Sequence, residues 1–118
     1  MKIVLKKTRE GGIIIVLSGE LTGLQDADKM SSEITEAYSD DISYMVFDFA
    51  NSSIPNSRFL GKMMAIYKLN KSRNVQTYIY FADNGEVRDL FKAAYVDHII
   101  PIVAQIHDAA ALSSAGNS

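Results

Sequence analysis

Ser57 stands at the start of a segment with an apolar stripe that runs to Arg73, directly after the polar loop Ala50–Asn56. The first residues of a helix carry unpaired backbone N–H groups and the positive end of the helix dipole, so an anion is well tolerated there. Two roles fit a serine at this place. The Ser57 hydroxyl, or the Asn56 side chain beside it, caps the helix. Alternatively, Ser57 accepts a regulatory phosphate, which would add about −1.5 to −2 charges at a positive helix end.

The charges around this position bear on the second role. Between Ser57 and Arg73 there are five bases, Arg58, Lys62, Lys68, Lys71 and Arg73, and no acid. The last three suit the negative end of a helix dipole. Arg58 and Lys62 lie at the opposite end, one turn apart, where they would flank an anion on Ser57. The other reading is an exposed basic face set against an acidic neighbour, since Glu20–Asp41 holds seven acids and one base, Lys29. Phe59 and Met63 sit beside the stripe Leu60–Met64–Tyr67. They are either buried against a second neighbour or left as a partner surface, for which methionine and aromatic side chains are suited.

Other chemistry finds no support in the residues. The glycines at 11, 12, 19 and 23 precede no Lys-Ser/Thr phosphate cradle. His98 and His107 have neither helical pairing nor a cysteine near them, so no metal site is expected. There is no nucleophile elbow and no diagnostic acid pair, hence no expected catalysis and no expected cofactor. The strand around Tyr78 lacks the interleaved bases that a nucleic-acid platform needs.

The elements that must hold Ser57 follow from periodicity. Residues 2–7 alternate as a strand, Glu10-Gly11-Gly12 turns the chain, and residues 13–18, IIIVLS, read as a strand buried on both faces. The glycines favour an antiparallel hairpin. A helix is expected from about Leu24 to Tyr38, with Ala27, Met30, Ile34, Ala37 and Tyr38 on its apolar stripe. Strands are expected at 44–49 and 76–81, on either side of a helix from Ser57 to Ser72. A short helix over 86–94, an edge strand at 98–102 broken by Pro101, and a helix over 104–112 complete the order. Strand–helix alternation implies right-handed crossovers and a mixed, mostly parallel sheet of about five strands with about four helices, an α/β fold. One domain is expected over residues 1–112, with a flexible tail at 113–118.

Bulk composition agrees. The 118 residues are 47% hydrophobic and 22% charged, which suits one soluble core. A net charge of −2 gives no general pull toward nucleic acid or anionic lipid. There is no cysteine, and no apolar run approaches the roughly 20 residues of a membrane helix, so the expected location is the cytoplasm without membrane insertion.

The order of elements and the loop sequence resemble the STAS family, the sulfate-transporter and anti-sigma-factor-antagonist domains. The resemblance runs from about Ile3 to Leu112. It is carried by the hairpin, Gly19-Glu20-Leu21, Val46–Phe49, Ile54-Pro55-Asn56-Ser57-Arg58-Phe59-Leu60-Gly61, Val87-Arg88-Asp89-Leu90-Phe91 and Ile99-Ile100. In the antagonist members the loop reads Asp-Ser-Ser/Thr-Gly followed by Leu-Gly, and the serine after the aspartate is phosphorylated. By position that serine is Ser57, and Leu60-Gly61 matches the following pair. The resemblance implies a non-enzymatic partner switch. The unmodified chain engages a serine kinase of the anti-sigma type; the phosphorylated chain is released and is reset by a metal-dependent serine phosphatase. Thr22, Asn56, Arg58, Phe59, Lys62 and Met63 are the implied partner-binding positions. The alternative is a STAS subunit that is never phosphorylated and binds a partner complex permanently. Here Asn56 replaces the motif aspartate, Arg58 the second hydroxyl residue, Phe59 the glycine, and Thr22 an aspartate frequent after Gly-Glu-Leu. Loss of the acid at 56 and gain of Arg58 both favour an anion at Ser57.

Overall fold

Gly11, at φ +85°, turns the chain between β1 (Lys2–Lys7) and β2 (Gly12–Gly19), which pair antiparallel. A positive φ of this kind is open to glycine at little cost. The computed structural model describes residues 1–116. It continues with α1 (Asp26–Ala37), β3 (Tyr44–Ser52), α2 (Ser57–Ser72), β4 (Gln76–Tyr80), α3 (Gly85–Ala93) and α4 (Asp108–Gly116). The sheet order is β1-β2-β3-β4, with β2, β3 and β4 parallel to one another. The α/β class, the hairpin, the mostly parallel sheet and the four helices are as the sequence implies.

Among the described residues the sheet has four strands rather than about five. The expected edge strand at 98–102 is largely a 3-10 turn, Val96–His98, and only Ile102 bridges to Ile79, in the parallel sense. The Pro101 carbonyl accepts from the Ile79 N–H at 2.9 Å, but proline has no N–H to extend a ladder. The end of the chain also differs from expectation. Helix α4 continues through 113–116, and Ser113 is buried with its hydroxyl 3.2 Å from that of Tyr78. Of the expected tail, residues 117–118 lie outside the described residues.

Alternation in β2 and β3 supplies two cores. Ile13, Ile15, Leu17, Met45, Phe47 and Phe49 meet the buried residues of α1, α2 and α3. Ile14, Tyr44, Val46 and Tyr78 pack on the other face with Val103 and Ala109. Within α2 the buried line is Phe59, Met63, Ile66 and Asn70. Asn70 is polar but fully enclosed: its Nδ2 donates to Thr77 Oγ1 at 2.9 Å, and its Oδ1 accepts from the Tyr38 hydroxyl at 2.9 Å. A buried amide satisfied at both ends fixes the rotation of α2 against α1 and β4.

Asp48 is the buried acid of β3, 7% exposed, on the second face of the sheet. Burial pushes its carboxyl above the ordinary value of 3.8, against the pull of the Ala50 N–H, which donates to Oδ1 at 2.9 Å, and of the more distant Lys6. A raised folded-state value means that the folded chain holds this proton more tightly than the unfolded one. Stability is therefore lost as pH rises through the window above 3.8. Asp48→Asn retains the Oδ1 acceptor and does not titrate. It is expected to be more stable than wild type at pH 7, with the gap closing as pH falls toward 3.8. Urea unfolding across that range checks this, and a less stable variant at neutral pH would contradict it.

Candidate functional site

Two loops meet at the carboxyl ends of β2 and β3. The Ser53 N–H donates to the Gly19 carbonyl at 2.9 Å, and the Leu21 N–H donates to Ser53 Oγ at 3.0 Å. These bonds hold the Gly19–Gly23 segment against the segment that feeds α2. On the other side, Asp26 Oδ2 accepts from the Gly23 N–H at 2.8 Å and closes the entry to α1. Helix α1 therefore begins at Asp26, not Leu24.

Asn56 joins the two segments. Its Oδ1 accepts from the Phe59 N–H at 2.9 Å, and its Nδ2 lies 3.5 Å from the Thr22 carbonyl. Asn56, not Ser57, is thus the helix cap. Asn56 stands between Thr22, across the loop, and Ser57, the next residue in the chain. Ser57 occupies the first position of α2, exposed, and its hydroxyl makes no hydrogen bond among the described residues. The Asn56 cap satisfies the N–H of Phe59, and the Asn56 carbonyl accepts from the Leu60 N–H at 3.0 Å. The N–H groups of Ser57 and Arg58 have no partner within the helix, the usual state of a first turn. The serine at 57 has no structural task that alanine would not also fill.

Arg58 and Lys62 follow the second of the two readings, a basic face set against the acidic first helix, and do not flank Ser57. Arg58 Nη2 meets Asp28 Oδ2 at 2.8 Å, and Lys62 Nζ meets Asp28 Oδ1 at 3.6 Å. Both bases reach across from α2 to α1. The Arg58 hydrogen bond is the largest influence on the Asp28 carboxyl; desolvation opposes it, and with the charges of Arg58 and Lys62 added the carboxyl is held below 3.8. What stability the pairs give is present above that value and is lost as pH falls through the lowered one. All three groups are well exposed, so the contribution is small.

Phe59 and Met63 are corrected. Both are fully buried, facing the sheet beneath α2, and neither offers a surface to a partner. Exposed apolar side chains near the site are instead Leu24, 91% exposed and two residues beyond Thr22, and Ile54, 39% exposed and three residues before Ser57. Gly61, one turn after Ser57, is also exposed, and a Cβ there would meet nothing within 4 Å. Glycine inside a helix costs about 1 kcal/mol relative to alanine, and nothing within the described chain requires it. Sequence reasoning missed Leu24 by assigning it to the helix. The Thr22-Gly23 start of a turn was the available signal.

No protein-family model matches the chain, and no curated protein matches it in sequence. Solved structures do match in fold. An anti-sigma factor antagonist from Mycobacterium paratuberculosis superposes with a TM-score of 0.80 at 16% identity, covering 96% of this chain and 93% of that one. The anti-sigma factor antagonist SpoIIAA in its unphosphorylated form gives 0.75 at 14% identity, over 99% and 98% of the two chains. The phosphorylated form of SpoIIAA, a Bacillus cell fate determinant, gives 0.66 at 15% identity, over 92% and 96%. The protein thus has the anti-sigma factor antagonist fold over nearly its whole length, the STAS-type fold that its sequence pattern resembles.

Proposed function

We infer that this protein is a cytoplasmic partner-switching regulator of the anti-sigma factor antagonist kind, controlled by a phosphate on Ser57. The observation that carries the reading is Ser57 itself: an exposed hydroxyl with no hydrogen bond among the described residues, at the first position of a helix whose cap is another residue. The likeness to antagonist structures over the whole chain supports it. A serine kinase of the anti-sigma type would supply the phosphoryl group. The Oγ–P bond forms as the bond from the ATP γ-phosphorus to its bridging oxygen breaks, ADP leaves, and the hydroxyl proton passes to a base of the kinase. A serine phosphatase would reverse the modification by hydrolysis. This chain is substrate and ligand in that cycle, and the chemistry is its partners'.

The docking surface in this reading is Thr22, Leu24, Ile54, Ser57 and Gly61, with Arg58 and Lys62 at its edge. Leu24 and Ile54 supply apolar area, and Gly61 admits close approach beside Ser57. A dianion introduced among these side chains must be desolvated on docking, which opposes binding.

The test pairs the protein with an anti-sigma-type kinase from the same genome. Intact mass should show one phosphate added to wild type and none to Ser57→Ala. By titration calorimetry, Ser57→Ala should bind the kinase as wild type does. Ser57→Asp and the phosphoprotein should bind more than about tenfold more weakly, a difference of at least 1.4 kcal/mol. Equal affinity for all four forms would end the switch reading. The departures of Asn56, Arg58 and Phe59 from the antagonist loop favour the second reading, an unphosphorylated subunit permanently bound to its partner. Stable binding with no phosphate gained would support it.

A further inference from the structure

Asp28 holds two cations at once, Arg58 at 2.8 Å and Lys62 at 3.6 Å, and Arg58 is the residue next to Ser57. Among the described residues, the only hydrogen bond of the Arg58 side chain is the one to Asp28. That side chain is 58% exposed, so it is held at its tip and is free to swing. We propose that Asp28 is the positioning residue of the switch. With Ser57 unmodified it keeps Arg58 on the α1 side of the helix pair, and a phosphate on Ser57 takes Arg58 from it while Lys62 stays behind. This inference rests on the reading of Ser57 as a phosphate acceptor.

The exchange follows from charge and connectivity. A phosphate of about −1.5 to −2 charges, with three acceptor oxygens, outcompetes a single carboxylate for one guanidinium, which binds phosphate in a bidentate fork. Neighbouring positions on a helix do not face each other, so only a long side chain can make the move, and Arg58 is one. Asp28 is not stranded by the loss, because Lys62 is already beside its other oxygen. The body of the helix pair does not need to shift, since α1 and α2 are held beneath by Met30, Ile34, Met63 and Ile66. What changes is the sign of the surface. Two bases against one acid leave the triad at net +1; the added phosphate turns the same patch to about −0.5 to −1. A partner that docks on Leu24 and Ile54 meets an inverted field at the edge of its contact.

The test uses the full chain with phosphoserine incorporated at position 57 during translation, so that no kinase is involved. Phosphorus NMR follows the second ionisation of the phosphate, and carbon NMR follows the Asp28 carboxyl. Arg58→Gln should raise the proton affinity of the phosphate about threefold, the size of an exposed ion pair. Lys62→Gln should leave it unchanged. The Asp28 carboxyl should rise toward the ordinary value when phosphate is present, and should rise less in Arg58→Gln, where no guanidinium is left to lose. Identical phosphate titrations in wild type and Arg58→Gln would overturn the proposal. So would an equal response to Lys62→Gln. A cell in which Ser57 is never modified would remove the functional reading and leave these titrations as they are, so the two failures are distinguishable.

Discussion

Phe59→Ala is expected to cost about 3–5 kcal/mol of folding stability, the range for removing a fully buried phenyl group from a core. Phe59 is fully enclosed and meets the ring of Phe49 edge-on, with centroids 6.4 Å apart and planes at 71°. Phe49 in turn meets Phe91 at 5.1 Å and 82°. The three rings run from α2 through β3 to α3, so one deletion opens a cavity under two helices. Such edge-to-face pairs add about 0.5–1.5 kcal/mol beyond burial. The consequence reaches the site, because the Phe59 N–H is also the donor that Asn56 caps. A cavity beneath the first turn of α2 loosens the position of Ser57 without touching it. Leu24→Ala is the matched control. At 91% exposure its loss should change stability by no more than about 0.5 kcal/mol. Urea unfolding of both variants separates the residue that builds the docking surface from the one that forms part of it. A loss below about 1 kcal/mol for Phe59→Ala would mean that the ring is not part of the core.

Much of the scaffold was legible in the sequence because its elements obey one period each. The run Ile13–Val16 is β-branched, Leu17 extends it without a polar break, and β2 is buried on both faces. The limits of α2, Ser57 to Ser72, follow from the polar loop before it and the Ser-Arg-Asn turn after it. The rotation of α2 was not legible. Its buried line runs 59, 63, 66, 70, and the last member is an asparagine, so hydrophobicity alone points to the neighbouring stripe of Leu60, Met64 and Tyr67, which is only partly buried. Thr77 and Tyr38, the partners that make Asn70 a core residue, belong to other elements, and no local pattern announces them. The same distance in sequence hid the engagement of Arg58 and Lys62. The five bases of α2 and the acids of α1 were visible as a contrast, but which acid meets which base depends on the crossing of two helices. The choice of Asn56 over Ser57 as cap turns on a one-residue difference in backbone conformation, which composition cannot separate because both residues are good caps.

Gly12→Ala is the second change with a large expected effect, and its cause lies at the other end of the sheet. A Cβ on Gly12 would fall 2.1 Å from Tyr44 Cζ and within 2.6 Å of two further atoms of that ring. Gly12 and Tyr44 are partners in the parallel register of β2 and β3, so the ring lies across the glycine. The ring has little room to move. It is 3% exposed, packs with Ile14, Val46 and Tyr78, and its hydroxyl is 2.8 Å from Thr8 Oγ1. Thr8 is itself tied to the hairpin, because its Oγ1 accepts from the Gly12 N–H at 2.8 Å. Relieving the clash therefore requires the ring, the threonine and the start of β2 to move together. Overpacking a core typically costs about 1–3 kcal/mol, and a contact this close to a pinned ring belongs at the upper end, about 3 kcal/mol. A double-mutant cycle isolates the cause. Tyr44→Ala is destabilising alone through the cavity it leaves, but in that background Gly12→Ala should cost almost nothing more. The coupling between the two changes should then approach the whole cost of Gly12→Ala in the wild type. Purely additive costs in urea unfolding would show that the penalty comes from the backbone of β2 and not from the ring of Tyr44.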